Sequence, residues 1–237
     1  MSHSNSQSLI TWVSEDTVEA HLGPPLADQT LIKIEKLDQW VQAEDPVWLV
    51  DYCYGFGVLS MVIRPELILT NQISDILDAV FSEPACTAYG ESHSLIEIPV
   101  CYDPSFGLDL QSVSSLTSLS VDDLIAAHYS RDYRVLATGF VPGFAYLGET
   151  DNRIHLPRRD VPRKRVPAGS VAIVENQTVI YPKQTPGGWH IIGRMPGCVV
   201  SLSEHLIDTK LSVGMTVRFK SISVDEFSQI EATNAPH

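Results

Sequence analysis

The sequence predicts an α+β chain with two domains: a ferredoxin-like α/β domain over residues 1–90 and a β-rich domain over residues 91–230, with a frayed, disordered tail at 231–237. Three observations predict it. Apolar residues alternate between strand spacing and helix spacing through the first ninety positions. From about residue 91 the chain turns to short β-rich runs broken by turn residues. Fifteen of the 29 glycines and prolines fall between Gly139 and Gly197, a quarter of the length, which is turn chemistry dense enough for a barrel or sandwich.

In the first domain, "TWVSEDTVEAHLG" alternates as a half-buried strand does. "ADQTLIKIEKLDQWVQAE" then sets Leu31, Ile34, Leu37, Trp40 and Val41 on a helical stripe. "VWLVDYCYG" and "GVLSMVIRP" are apolar runs joined around Gly55 and Gly57, which predicts an antiparallel pair. "NQISDILDAVFSEP" carries Ile73, Ile76, Leu77, Val80 and Phe81 at helical spacing, with Pro84 beyond its end. "SLIEIPVCYD" follows as a further strand, completing the order of a split βαβ unit. The second domain signals a single helix clearly, by Ser120 and Asp123 ahead of "LIAAHY". The runs "YRVLATGF", "SVAIVE", "TVIYP", "HIIGR", "CVVSL" and "MTVRFKSI" read as strands.

A formal charge of −13 over 237 residues argues against nucleic acid, whose binding needs a basic surface. Cys53, Cys86, Cys101 and Cys198 show no paired spacing and read as reduced, mostly buried thiols, with no metal site. The start of the chain has no basic, then apolar, leader pattern, and no run is long enough to span a membrane. A cytoplasmic protein without membrane contact is the expectation.

Three clusters could carry chemistry. In "GFVPGFAYLG", Phe140, Pro142, Gly143 and Phe144 combine close backbone approach with a rigid aromatic wall, as a ligand site requires; a bulged strand at a barrel corner would use the same residues. "RIHLPRRDVPRKRVPAGS" holds six of the sixteen cationic residues, Arg153 to Arg165, against Asp160 alone. Arg159 and Arg163, spaced by proline, could present guanidinium forks to an anion, or the run could be a solvated loop. In "YPKQTPGGWHIIGR", Gln184 precedes a predicted tight turn through Gly187 and Gly188 whose N–H groups could hold an anion. His190 follows as a candidate acid, base or donor, or as a packed core residue. His128, closing the signalled helix, is a candidate on the same terms, or a favourable cation at a helix C-terminus. Nucleophile-elbow, P-loop, zinc-protease and dinucleotide fingerprints are absent, so the chain lacks a standard ATP cradle.

In order and spacing, "GFVPGFAYL", "PRRDVPRKRVPAGSVAI" and "YPKQTPGGWHIIGR" resemble the signature of the family of 5-oxoprolinase B subunits, also called allophanate hydrolase subunit 1 or the kinase A inhibitor (Kip) family. "IPVCYDPSFGLDL", "LIAAHYSRDYRV" and "LSVGMTVRF" extend the likeness, with Met215-Thr216 standing where that pattern favours an acid. The resemblance implies that the second domain is a cyclophilin-like β-barrel of carboxyltransferase type. It implies the A and C subunits of 5-oxoprolinase as partners, the latter being Kip-antagonist-like, and ATP as the co-substrate of the whole complex. The activity implied is opening of the 5-oxoproline lactam to glutamate, with His128, His190, Arg159 and Arg163 as catalytic candidates. His190 would donate to the carbonyl oxygen and the arginines would hold an anionic group. Inhibition of a sensor histidine kinase, or a carboxyltransferase role beside a biotin carrier, are the alternatives that the same signature spans.

Overall fold

The computed structural model describes residues 10–25, 27–83, 95–197, 200–203, 206–209 and 211–234, and the chain divides into two units, Met1–Ser92 and His93–His237. The first unit contains β1 (Ile10–Trp12), β2 (Thr17–His21), α1 (Asp28–Glu44), β3 (Leu49–Gly55), β4 (Val58–Ile63) and α2 (Thr70–Ser82). Its antiparallel sheet runs β1-β2-β4-β3, so α1 links two strands with β4 between them, as in a ferredoxin-like unit. Ile73, Leu77 and Val80 of α2 and Leu31, Ile34 and Leu37 of α1 are buried. Each such side chain contributes about 2 kcal/mol. Trp40 and Val41, expected on the same stripe, are only partly covered.

Two expectations for this unit are corrected. The first predicted strand is a hairpin, β1 and β2, because Asp16 Oδ1 accepts from the Ser14 and Thr17 hydroxyls at 2.7 and 3.0 Å and fixes a turn where the alternation looked continuous. The strand expected to complete the unit, β5 (Leu95–Cys101), belongs to the second unit, while β1 occupies the edge beside β2.

The second unit closes seven strands into a barrel. With β5, these are β6 (Asp132–Thr138), β7 (Ala145–Gly148), β9 (Ser170–Val174), β10 (Gln177–Ile180), β12 (His190–Arg194) and β15 (Thr216–Ile222). The order is β6-β15-β5-β12-β9-β10-β7, and β7 pairs back onto β6, so the closed sheet leaves no edge. Every pairing is antiparallel except β5 with β15. Outside the barrel, β8 (Arg163–Val166) pairs with β11 (Thr185–Gly187) as a two-stranded ribbon, and β13 (Val200–Ser203) pairs with β14 (Leu206–Thr209). Helices α3 (Leu110–Thr117), α4 (Val121–Tyr129) and α5 (Val224–Asn234) complete the unit.

Alternation along β9 separates two apolar layers. Val171 and Ile173 face the barrel interior with Ile98, Val135, Leu147 and Phe219. Ala172 and Val174 face outward, where Phe144, Val166, Tyr181, Trp189 and Ile191 pack beneath the ribbon. Ser120 caps α4 as expected, accepting from Asp123 N at 3.1 Å. Helices α3 and α5 go beyond the sequence expectation. The serines and threonine of α3 hide its propensity, but Ser115 and Thr117 bond back to the carbonyls of Gln111 and Val113 instead of breaking the helix. For α5, Ser223 and Glu226 form a reciprocal capping box, Phe227 stacks on Phe106 at 4.2 Å, and Glu231 accepts from Gly197 N. Residues 231–234 are therefore the end of a docked helix and not a disordered tail; 235–237 lie outside the described residues. Cys101 is buried while Cys53 is exposed, and Cys86 and Cys198 lie outside the described residues. Among the described residues no helix is long and apolar enough to cross a membrane.

Candidate functional site

The arginine loop and the segment carrying His190 are joined by backbone. Arg159 N donates to Gly188 O at 2.9 Å, and the ribbon sets Gly187 opposite Arg163 and Thr185 opposite Val166. The predicted tight turn over Thr185–Gly188 is thus corrected to a short strand at Thr185–Gly187 that ends before Gly188. Its glycine answers a packing need, since a Cβ at Gly187 would lie 2.4 Å from the Tyr181 hydroxyl. Burial, with Tyr146 adding and Arg158 opposing, pushes that phenol up to about 12.

Both arginines converge on Asp109, a residue that no motif in the sequence singles out. Arg163 Nη2 donates to its Oδ1 at 3.0 Å, Arg159 Nη1 donates to the same oxygen, and Ile191 N donates to Oδ2 at 2.8 Å. The Asp109 N–H returns a 2.8 Å bond to Ile191 O, so the residue is stitched to β12 through both backbone and side chain. It is 3% exposed. The approach needs Gly107, where a Cβ would sit 2.5 Å from Ile192 O. Asp109 occupies the N-cap position of α3, yet its side chain makes no cap bond. The signal that could have found it is the lone acid of "GLDL" set against a run of arginines.

His190 is buried, and its Nε2 lies 2.9 Å from Pro157 O. A carbonyl only accepts, so Nε2 carries a proton and donates it to Pro157 O. Nδ1 is enclosed without a hydrogen-bond partner, as are Arg159 Nε and Thr185 Oγ1. The nitrogen that bonds Pro157 O is thus engaged within the protein, and Nδ1 is the ring atom left without a partner.

His128 stands apart from this group. It is fully buried in the barrel core, stacked on Phe219 at 4.7 Å, with Tyr102 Oη 2.8 Å from Nδ1 and Thr178 Oγ1 2.8 Å from Nε2. The Thr178 hydroxyl donates onward to Ala172 O, so it accepts from Nε2–H, and Tyr102 donates to Nδ1. Both ring nitrogens are satisfied, and desolvation lowers the ring's pKa to about 3. The hydrogen bonds of His128 connect it to neither arginine nor to His190, and the structure places it in the core apart from that group.

The aromatic loop divides. Gly143 and Phe144 are buried, and Phe144 meets Tyr181 edge-on at 5.2 Å, which links this loop to the layer beneath Gly187. Phe140 is 65% exposed with φ 71°, a strained conformation for a bulky residue. With Pro142, also exposed, it borders an open hollow of about 370 Å³ formed by residues 138–143. Gln184 is exposed at the start of the ribbon. A second hollow, about 500 Å³, is lined by His155, Leu156, Pro157, Glu175 and Asn176 and borders the proline that holds His190. No group of three or more His, Cys, Asp or Glu side chains suited to a metal ion occurs among the described residues.

The family model for the carboxyltransferase domain, subdomain C and D, matches residues 8–204. The chain is 41% identical to the B subunit of 5-oxoprolinase from Bacillus subtilis, over 59% of its own length and 58% of that protein. It is 32% identical to the protein of the same name from Haemophilus influenzae over 87% of its length and 94% of that protein. Among solved structures, TTHA0988 superposes with a TM-score of 0.73 at 32% identity, covering 87% of this chain, which spans 40% of the length of that one. The urea carboxylase of Kluyveromyces lactis shares the fold at a TM-score of 0.69 and 16% identity, over 95% of this chain and 22% of that enzyme. The ordered motifs, the closed barrel and these matches agree: the chain belongs to the carboxyltransferase domain family, subdomains C and D.

Proposed function

We propose that the chain is the B component of an ATP-dependent 5-oxoprolinase, acting with the A and C subunits to open the 5-oxoproline lactam to glutamate. The observation that carries the reading is the pairing of Arg159 and Arg163 beside a histidine whose Nδ1 has no partner, in a chain whose relatives bear the name of the 5-oxoprolinase B subunit. In this reading the arginines hold the substrate carboxylate through charge-assisted bonds. His190 Nδ1 takes a proton from the water that adds to the lactam carbonyl and passes it to the lactam nitrogen as the C–N bond breaks, leaving the carboxylate and amine of glutamate. ATP is assigned to another component of the complex, because the glycines at 139, 143, 187 and 188 lead into strands and not into a helix N-terminus that would cradle phosphates.

The test is release of glutamate from 5-oxoproline and ATP by this chain mixed with candidate A and C subunits, each protein omitted in turn. Activity that vanishes when this chain is left out supports the proposal. No turnover in any combination of folded proteins would sink it. It would favour carboxyl transfer, the reading to which the shared fold with urea carboxylase lends weight, or binding of a histidine kinase through the exposed Phe140 and Pro142.

A further inference from the structure

The two arginines are read above as ligands of a carboxylate, yet both already hold one inside the protein. Asp109 Oδ1 takes Arg159 and Arg163 together, and Oδ2 takes the N–H of Ile191, next in sequence to His190. We propose that Asp109 is a positioning residue for the site: it aims the arginine pair, sets its net charge and ties it to the strand that carries His190. The inference rests on the functional reading just given.

Charge and geometry support the assignment. Two guanidiniums against one carboxylate leave a single positive charge among the three side chains. Arg159 and Arg163 keep 26% and 23% of their side-chain surface exposed, while Asp109 keeps 3%, so the cations reach outward from an anchored acid. Arg159 Nε remains enclosed without a partner although the Nη1 end of its fork is engaged, and His190 Nδ1 is free in the same manner. A helix-capping role would need a bond from Asp109 to the first turn of α3, and its side chain makes none. An acid kept for packing alone would be replaceable by an apolar residue, whereas this one gathers donors from the arginine loop, from β8 and from β12.

A double-mutant cycle tests this in the complex reconstituted from this chain and its candidate A and C subunits. Asp109→Asn and Arg159→Gln are each expected to raise KM for 5-oxoproline about tenfold with a smaller change in kcat. The double variant should be no worse than Arg159→Gln alone, because Asp109 acts through the arginine. Losses that add, or an unchanged KM beside a lowered unfolding temperature, would make Asp109 a packing residue and overturn the proposal. If Asp109→Asn does not fold, Arg163→Lys takes its place, keeping the charge but losing the fork; an unchanged KM there counts against the proposal. If the wild-type complex turns over no 5-oxoproline, the functional reading fails and NMR of the isolated chain decides the positioning role. The Arg159 Nε–H resonance should exchange slowly with water in the wild type and rapidly in Asp109→Asn, and a variant that keeps slow exchange refutes the assignment.

Discussion

His128 and His190 are both buried and both in the second unit, yet their surroundings differ in one respect. Each nitrogen of His128 meets a hydroxyl, from Tyr102 and from Thr178. His190 has one nitrogen on a backbone carbonyl and the other without a partner. A polar group whose bonds are complete holds a core together, and one with a bond left over can receive something. Burial alone would have ranked the two alike.

Substitutions can sharpen that contrast. His128→Ala should cost about 3 kcal/mol in denaturant unfolding, since it opens a cavity and strands two buried hydroxyls. A loss below about 1 kcal/mol would show that the core does not depend on this ring. His190→Ala should lower turnover of the reconstituted complex about a hundredfold, or by about 2.7 kcal/mol, while costing only about 1 kcal/mol of stability. Equal stability losses at the two positions would break the comparison. The pH dependence differs in the same sense. The folded pKa of His128, about 3, lies below its unfolded value of about 6.5, so the unfolded chain binds a proton that the folded chain refuses. The stability this ring confers is full above about pH 6.5 and falls by about 1.4 kcal/mol per unit as pH drops toward 3. Unfolding curves at pH 7, 6 and 5 should therefore converge for wild type and His128→Gln. Thr178→Val, which removes only the Nε2 acceptor, should have the smallest effect, about 1 kcal/mol.

Much of this is legible in the sequence. The helical stripe of Ile73, Leu77 and Val80, the Ser120–Asp123 cap and the barrel strands from Tyr133 onward follow from local spacing, and local spacing is what the chain obeys there. The misses share a cause. Nothing inside "SLIEIPVCYD" records that its partners are β12 and β15, so local order assigns the strand to the nearer unit. Asp109 carries no local signal, and only Arg159 and Arg163, some fifty residues further along the chain, mark it out. His128 looks like an accessible cation until Phe219, from the last strand, covers it. In each case the deciding contact lies far away along the chain, where periodicity has no reach. Ser223 and Glu226 are the exception, because their capping box is written locally and needs no distant partner to be read.

The parallel pairing of β5 with β15 has a consequence for how the protein is made. β5 is the first barrel strand to leave the ribosome, and both of its neighbours, β12 and β15, are translated later. Until β15 emerges, Ile98 and Val100 lack their full enclosure, and the sheet has an open seam that other strands can join. Contacts of such long sequence separation also make closure slow. The interval between synthesis of β5 and of β15 is therefore the period in which a nascent chain most needs protection from aggregation, and its length is set by strand order, whatever residues line the site.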